Sequence, residues 1–176
     1  MNVSGNSRSA YTKQKIQQAF MDLLGKKTFD KISVSDICGL AEISRPSFYA
    51  HYDDINDLIL QIEHEKSAYI ALIFASEDKI SGESFKLYLN YIHDNRLFYK
   101  AYFETESNSQ LSQELMNKYL KANGIRECYR VQFNMVFFMA GIRAVVYDWL
   151  ASGEKESVEE LAGLLYEQYE IFQAQI

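Results

Sequence analysis

The chain has 176 residues, 48% of them hydrophobic, with 13 tyrosines and 11 phenylalanines but one proline, and a formal charge of −6. That length allows one large domain or two small ones with a buried core. The lack of proline and of alternating apolar–polar runs points to an all-α protein. No apolar run is expected to be long enough to span a bilayer, and no segment reads as a signal peptide, so a membrane partner is not expected. Cys38 and Cys128 lie far apart in helical patterns and are expected as buried thiols rather than a disulfide, as suits a reducing cytoplasm.

The net charge argues against nucleic acid, but its distribution reverses that reading. Residues 1–52 carry seven basic side chains (Arg8, Lys13, Lys15, Lys26, Lys27, Lys31 and Arg45) against four acidic ones (Asp22, Asp30, Asp36 and Glu42), a net +3, which leaves −9 for the rest. A basic front end on an acidic body suits a protein that presents one face to phosphates.

Met1 to Ser7 is small and polar and is expected to be disordered. A first helix follows from about Ser9 to Gly25, with Ile16, Ala19, Phe20, Leu23 and Leu24 forming an apolar stripe. The stretch from Lys31 to Leu58 then reads as two short helices joined by a tight turn and the start of a longer one. Ser33 caps the first short helix, helped by Asp36 three residues on. The helix breaks at Ala41-Glu42-Ile43. Ser44 caps the second, Arg45 to about His51, with Pro46 in its first turn, where a missing N–H costs little. Helices this short are not a domain alone. A helix-turn-helix reader of DNA needs this geometry, because its second helix must project into the major groove. The expected core of the unit is Phe20, Leu24, Phe29, Ile32, Ile37, Leu40, Phe48 and Tyr52.

A fourth helix is expected from near Asp54, with Ile55, Leu58, Ile59, Ile62, Tyr69, Ile70 and Ile73 on one side, connecting reader to body. Ser81-Gly82 interrupts the pattern. A helix from Glu83 to Asp94 follows, and Asn95 caps a short one reaching Glu104. Thr105 to Gln110 reads as a loop, and Leu111 to Ala122 as a helix stopped by Asn123-Gly124. The longest helix runs from about Arg126 to Ala151, and the last starts after Ser157 and reaches about Gln173. The reading is of about nine helices, with residues 1–54 as a DNA-binding domain and 55–176 as a regulatory and dimerisation domain.

Within the reader helix the 3.6-residue period turns Phe48 toward the core with Ser44 and Ile55, and Arg45, Ser47 and Tyr49 outward. Arg45 is the candidate for a base edge, since a guanidinium grips guanine bidentately. Ser47 suits a base or a phosphate, and His51, at the helix end, can reach a phosphate oxygen.

The run VSDICGLAEISRPSFYAHYDDINDL resembles the DNA-binding signature of the TetR family of bacterial transcription regulators, through Ile43-Ser44, the aromatic pair Phe48-Tyr49, and Tyr52 before a long helix. The resemblance covers roughly residues 10–60, and beyond them only helicity and length are shared. It implies phosphate contacts by Ser33, Ser35, Tyr49 and His51, and Ser44 is counted with them on the DNA-facing side. The family usually has a basic residue at the start of the fourth helix. Here the segment is Asp53-Asp54-Ile55-Asn56-Asp57, so weaker or more salt-sensitive binding is expected.

In the body, the resemblance implies a ligand pocket for an apolar or aromatic small-molecule effector, with Tyr88, Tyr91, Tyr102, Phe133, Phe137 and Arg143 as its candidate lining. An aromatic stripe at helical spacing equally packs a core. Arg143, amid apolar neighbours, needs an acidic partner or an anionic ligand. Residues 131–150 are apolar nearly all round. With Leu161, Leu164, Leu165, Tyr169 and Phe172 on the last helix they suit a four-helix homodimer interface. Such a dimer sets two readers on a near-palindromic double-stranded operator.

No phosphate-cradling glycine loop, nucleophile elbow or metal-spaced Cys/His cluster is present, and His51, His64 and His93 are isolated, so no enzyme activity, catalytic residue, metal or cofactor is expected. The expected function is a cytoplasmic, homodimeric, sequence-specific DNA-binding regulator, a repressor released by an effector. The alternative is a protein of this fold acting through protein partners as a co-regulator.

Overall fold

The computed structural model describes residues 3–75, 80–105 and 129–174, and the protein is all-α, with no strand among the described residues. The expected loop after Thr105, the helix Leu111 to Ala122 with its Asn123-Gly124 stop, the start of the longest helix, and Cys128 lie outside them. The chain divides into two compact units, Met1–Glu65 and Lys66–Ile176.

The first unit holds α1 (Val3–Leu24), a single 3₁₀ turn (Phe29–Lys31), α2 (Val34–Ala41), α3 (Arg45–Tyr49) and the first half of α4 (Ile55–Ala75). α1 begins at Val3, inside the stretch expected to be disordered; no proline interrupts it, and a nucleated helix propagates at small cost per residue. α1 packs on α2 and α2 on α3 around Ile16, Phe20, Ile37, Phe48, Leu58 and Ile59, all sealed from water. Tyr52 joins them, and burial pushes its phenol up to about 12. Lys13 (2.8 Å) and Gln17 (3.2 Å) on α1 reach Glu65 on α4. Leu40, expected in this core, is 43% exposed. On an eight-residue helix Ile37, Cys38 and Ala41 supply the buried face, and position 40 falls at its rim.

The second unit holds the rest of α4, then α5 (Gly82–Asp94), α6 (Arg96–Glu104), α7 (Tyr129–Ala151) and α8 (Val158–Gln173). α5 packs on α8, α6 on α7, and α7 on α8, around Phe85, Leu89, Ile92, Phe98, Tyr99, Val146 and Trp149. Capping boxes at Ser81–Ser84 and Ser157–Glu160 start α5 and α8. Asn95 does not cap α6 with its side chain. Its Nδ2 donates 2.9 Å back to the Tyr91 carbonyl, and its Oδ1 accepts from Lys66 Nζ at 2.6 Å. One residue separates the two helices, and the amide serves the one that is ending. Tyr69, placed on the apolar stripe of α4, is largely exposed, although its ring meets Tyr91.

α7 also corrects the sequence reading on membranes: by length and composition it is apolar enough to cross one. The helix runs unbroken through Arg143 and Asp148. Arg143 is not facing lipid-like surroundings. Its Nη2 donates to the carbonyls of Phe103 and, at 3.3 Å, Thr105, at the end of α6.

Candidate nucleic-acid interface

The reader is built from its caps outward. Ser33 Oγ accepts the Asp36 N–H at 3.2 Å and donates to Asp36 Oδ2 at 2.6 Å, while the Ser33 N–H donates to the same carboxylate at 2.8 Å. The Lys27 ammonium is 2.9 Å away. The Ser33 hydrogen bonds, then Lys27, hold the Asp36 carboxyl at about 2, below its ordinary 3.8. α2 ends at Glu42 in a left-handed conformation (φ 54), where the N–H groups of Glu42 and Ile43 both donate to the Cys38 carbonyl. This is the turn of the motif.

Ser44 then caps α3 by accepting from the Ser47 N–H at 3.3 Å. The sequence reading turned Ser44 inward with Phe48; it is exposed instead, because a capping hydroxyl must sit at the open end of its helix. Phe48 is buried, edge-on to Tyr49 and tilted against Tyr52. That anchor leaves Tyr49 54% exposed and Arg45 exposed, with Ser47 and His51 half-buried. Ser44 and Ser47 hydroxyls lie 2.8 Å apart, and Arg45 Nη2 donates to Ser35 Oγ on α2. The candidates are therefore gathered in two pairs, Ser35 with Arg45 and Ser44 with Ser47, while Tyr49 rests edge-on against Phe48 with half its surface open to solvent and His51 lies against Tyr52. Sequence reasoning did not find the Lys27–Asp36 pair, because Lys27 lies in the connection after α1 and only the fold brings it to α2.

The acidic corner has a local role. Asp54 Oδ1 accepts the Asp57 N–H at 2.8 Å, and Asp57 Oδ2 accepts the Asp53 N–H at 2.9 Å. Gln61 Nε2 donates to both Asp57 oxygens at 3.1 Å. Asp54 thus satisfies one orphan N–H in the first turn of α4, Asp57 ties down the backbone just ahead of it, and both carboxylates suit the helix dipole.

The candidate effector residues are more scattered. Tyr102 is 2% exposed and stacks on Phe98 within a cluster that includes Tyr99 and Phe103. Tyr88 and Tyr91 are half-buried, against Phe74 and against Tyr69 and Tyr99. Phe133 and Phe137 are 70% and 83% exposed. Phe137 instead borders an apolar groove between α7 and α8, with Phe138, Ile142, Leu164 and Ile171. No three His, Cys, Asp or Glu among the described residues are placed to hold a metal.

A family model described as a transcriptional regulator C-terminal region, of TetR type, matches residues 81–168. The chain belongs to the TetR family of transcription regulators. The match falls on the body, where the sequence reading found only helicity and length in common with that family. This TetR-family chain is 30% identical over 102 residues to the HTH-type dhaKLM operon transcriptional activator DhaS of Lactococcus lactis subsp. lactis (strain IL1403), covering 57% of this chain and 54% of that protein. It thus spans about half the length of that curated relative. Two solved structures share the fold. The dihydroxyacetone kinase operon activator DhaS has a TM-score of 0.56 and 23% identity, over 94% of this chain and 96% of that one. A TetR transcriptional regulator from Streptococcus agalactiae 2603V has a TM-score of 0.65 and 20% identity, over 96% and 98%.

Proposed function

We propose that this TetR-family regulator binds duplex DNA in the cytoplasm as a homodimer on a near-palindromic operator, reading it with α3. The observation that carries this is the capped two-helix motif, whose buried Phe48 anchor leaves Arg45, Ser47 and Tyr49 on the outer side. Arg45 reads a base edge, and Ser47 a base or phosphate. Tyr49, His51, Ser33 and Ser44 lie along the backbone path. The reader corresponds to residues 1–54, and the remainder to regulation and dimerisation.

Support for the dimer comes from the apolar surface of α7 and α8, with Phe133, Val136, Phe137, Leu164 and Ile171 exposed in the single chain. A patch of this kind marks an interface. Two copies joined through these helices form a four-helix bundle and present two readers. The direction of control is best read as activation, since the Lactococcus relative is named an activator; the family resemblance alone had suggested repression. A small apolar effector among Tyr88 and Tyr91 is one route of control. The packing of Tyr102 and the exposure of Phe133 and Phe137 favour a second, in which a protein partner does the switching.

The test is binding of duplexes from the DNA flanking the protein's own gene, followed by fluorescence anisotropy at stepped salt. Sequence-dependent binding that weakens with salt supports the reading. Equal affinity for all duplexes, or none, removes it.

A further inference from the structure

Ser35 is the second residue of α2 and Arg45 the first of α3, ten positions apart in sequence. The turn between the helices sets them side by side, and Arg45 Nη2 donates to Ser35 Oγ. Both residues are exposed. The carboxylates on α2 and at its end are otherwise engaged: Asp36 by Ser33 and Lys27, and Glu42 by Lys15 at 3.8 Å. Cys38 on α2, whose burial pushes its thiol up, feels the Arg45 charge across the turn but brings no negative charge of its own. The partner that orients this guanidinium is therefore a neutral hydroxyl.

That distinction matters for a group facing DNA. A carboxylate would fix the guanidinium but cancel its charge and compete with the base. A hydroxyl fixes direction and leaves the charge and the remaining N–H donors available. A long side chain with large rotamer freedom loses less on binding if it is already held.

We propose that Ser35 is a positioning residue: it pre-orients Arg45 for its base edge and so sets sequence preference at that base pair. This inference rests on the DNA-reading function above. It differs from the phosphate contact that family resemblance implies for Ser35. A phosphate contact strengthens binding to every sequence alike, whereas pre-orientation of Arg45 acts only where the correct base is present.

The experiment measures affinity for the operator, for operators changed one base pair at a time, and for unrelated DNA. The proteins are the wild type, Ser35→Ala, Ser35→Thr, Arg45→Ala and the Ser35→Ala/Arg45→Ala double variant. Ser35→Ala is expected to lower discrimination at one base pair by about 3- to 10-fold. Affinity for unrelated DNA should stay within about twofold, because the phosphate contacts are untouched. Ser35→Thr keeps the hydroxyl and should restore discrimination. Ser35→Ala added to Arg45→Ala should change nothing further, since the pair acts as one unit. A uniform loss on all sequences, additive with Arg45→Ala, overturns the proposal in favour of a phosphate contact. Unchanged discrimination in Ser35→Ala overturns it outright. A wild type that does not discriminate among duplexes at all fails the DNA-reading function itself, and is told apart by needing no variant.

Discussion

Replacing Phe137 with alanine isolates the apolar face of α7. Full burial of a phenylalanine side chain is worth about 1.5–3 kcal/mol. Phe137 is 83% exposed in the single chain, so about 1.2–2.5 kcal/mol per protomer remains to be gained on covering it. A two-fold interface contains the residue twice, which gives about 2.5–5 kcal/mol. The dimer dissociation constant of Phe137→Ala is therefore expected to rise by about two to three and a half orders of magnitude. The single chain itself should not suffer, because alanine is the better helix former and the ring supports little of the protomer's own core. Sedimentation equilibrium across nanomolar to micromolar protein reads the constant, and circular dichroism checks helix content. A dissociation constant within threefold of wild type, with helix content intact, would place the interface elsewhere and refute the reasoning.

Acidification tests the α2 cap. The Asp36 carboxyl sits at about 2 in the folded chain against an ordinary 3.8, so its stabilisation is complete above about pH 4 and is lost as pH falls toward 2. The gap in Tm between wild type and Asp36→Asn should close over that window; a gap independent of pH would show that the cap carries no charge dependence. Asp53→Lys, at an exposed position, is expected to strengthen binding to all duplexes and steepen the salt slope by about one; anisotropy at stepped salt reads both, and an unchanged slope would put this corner out of phosphate reach. Arg143→Met removes the donor to two carbonyls at the end of α6 and should cost about 1–3 kcal/mol in urea unfolding; no loss would mean that water satisfies those carbonyls equally well.

The reader was legible because its signals are local and agree with one another. Ser33 with Asp36, Ser44 with Pro46, and Phe48 between polar neighbours each dictate one geometry, and the structure adopts all three. Residues that serve either of two neighbours were less legible. Asn95 can start a helix or finish one, and which it does depends on the Tyr91 carbonyl beside it. The pairing of Arg45 with Ser35, and of Lys27 with Asp36, crosses a turn that no spacing rule encodes. Aromatic residues at helical spacing were the least informative. Tyr102 and Phe137 read alike in sequence, yet one is sealed by Phe98 and Tyr99 while the other looks outward. On α7, apolar on nearly every side, the pattern names no preferred face.

A helix start needs no charge for its cap: serine or asparagine would serve the head of α4 as well as aspartate does. Three carboxylates there, Asp53, Asp54 and Asp57, instead put like charge close to the reader. If the protein reads DNA with α3 as proposed, their repulsion of phosphate would be blind to sequence, weakening the grip on every duplex by a common factor and leaving the choice among bases to α3. Within a genome, roughly 10⁶–10⁹ irrelevant sites compete for each regulator molecule. A lighter hold on all of them shortens each fruitless stay and returns the molecule sooner to the search. On that reading, the acids that start a helix would also set how quickly the protein lets go of the wrong DNA.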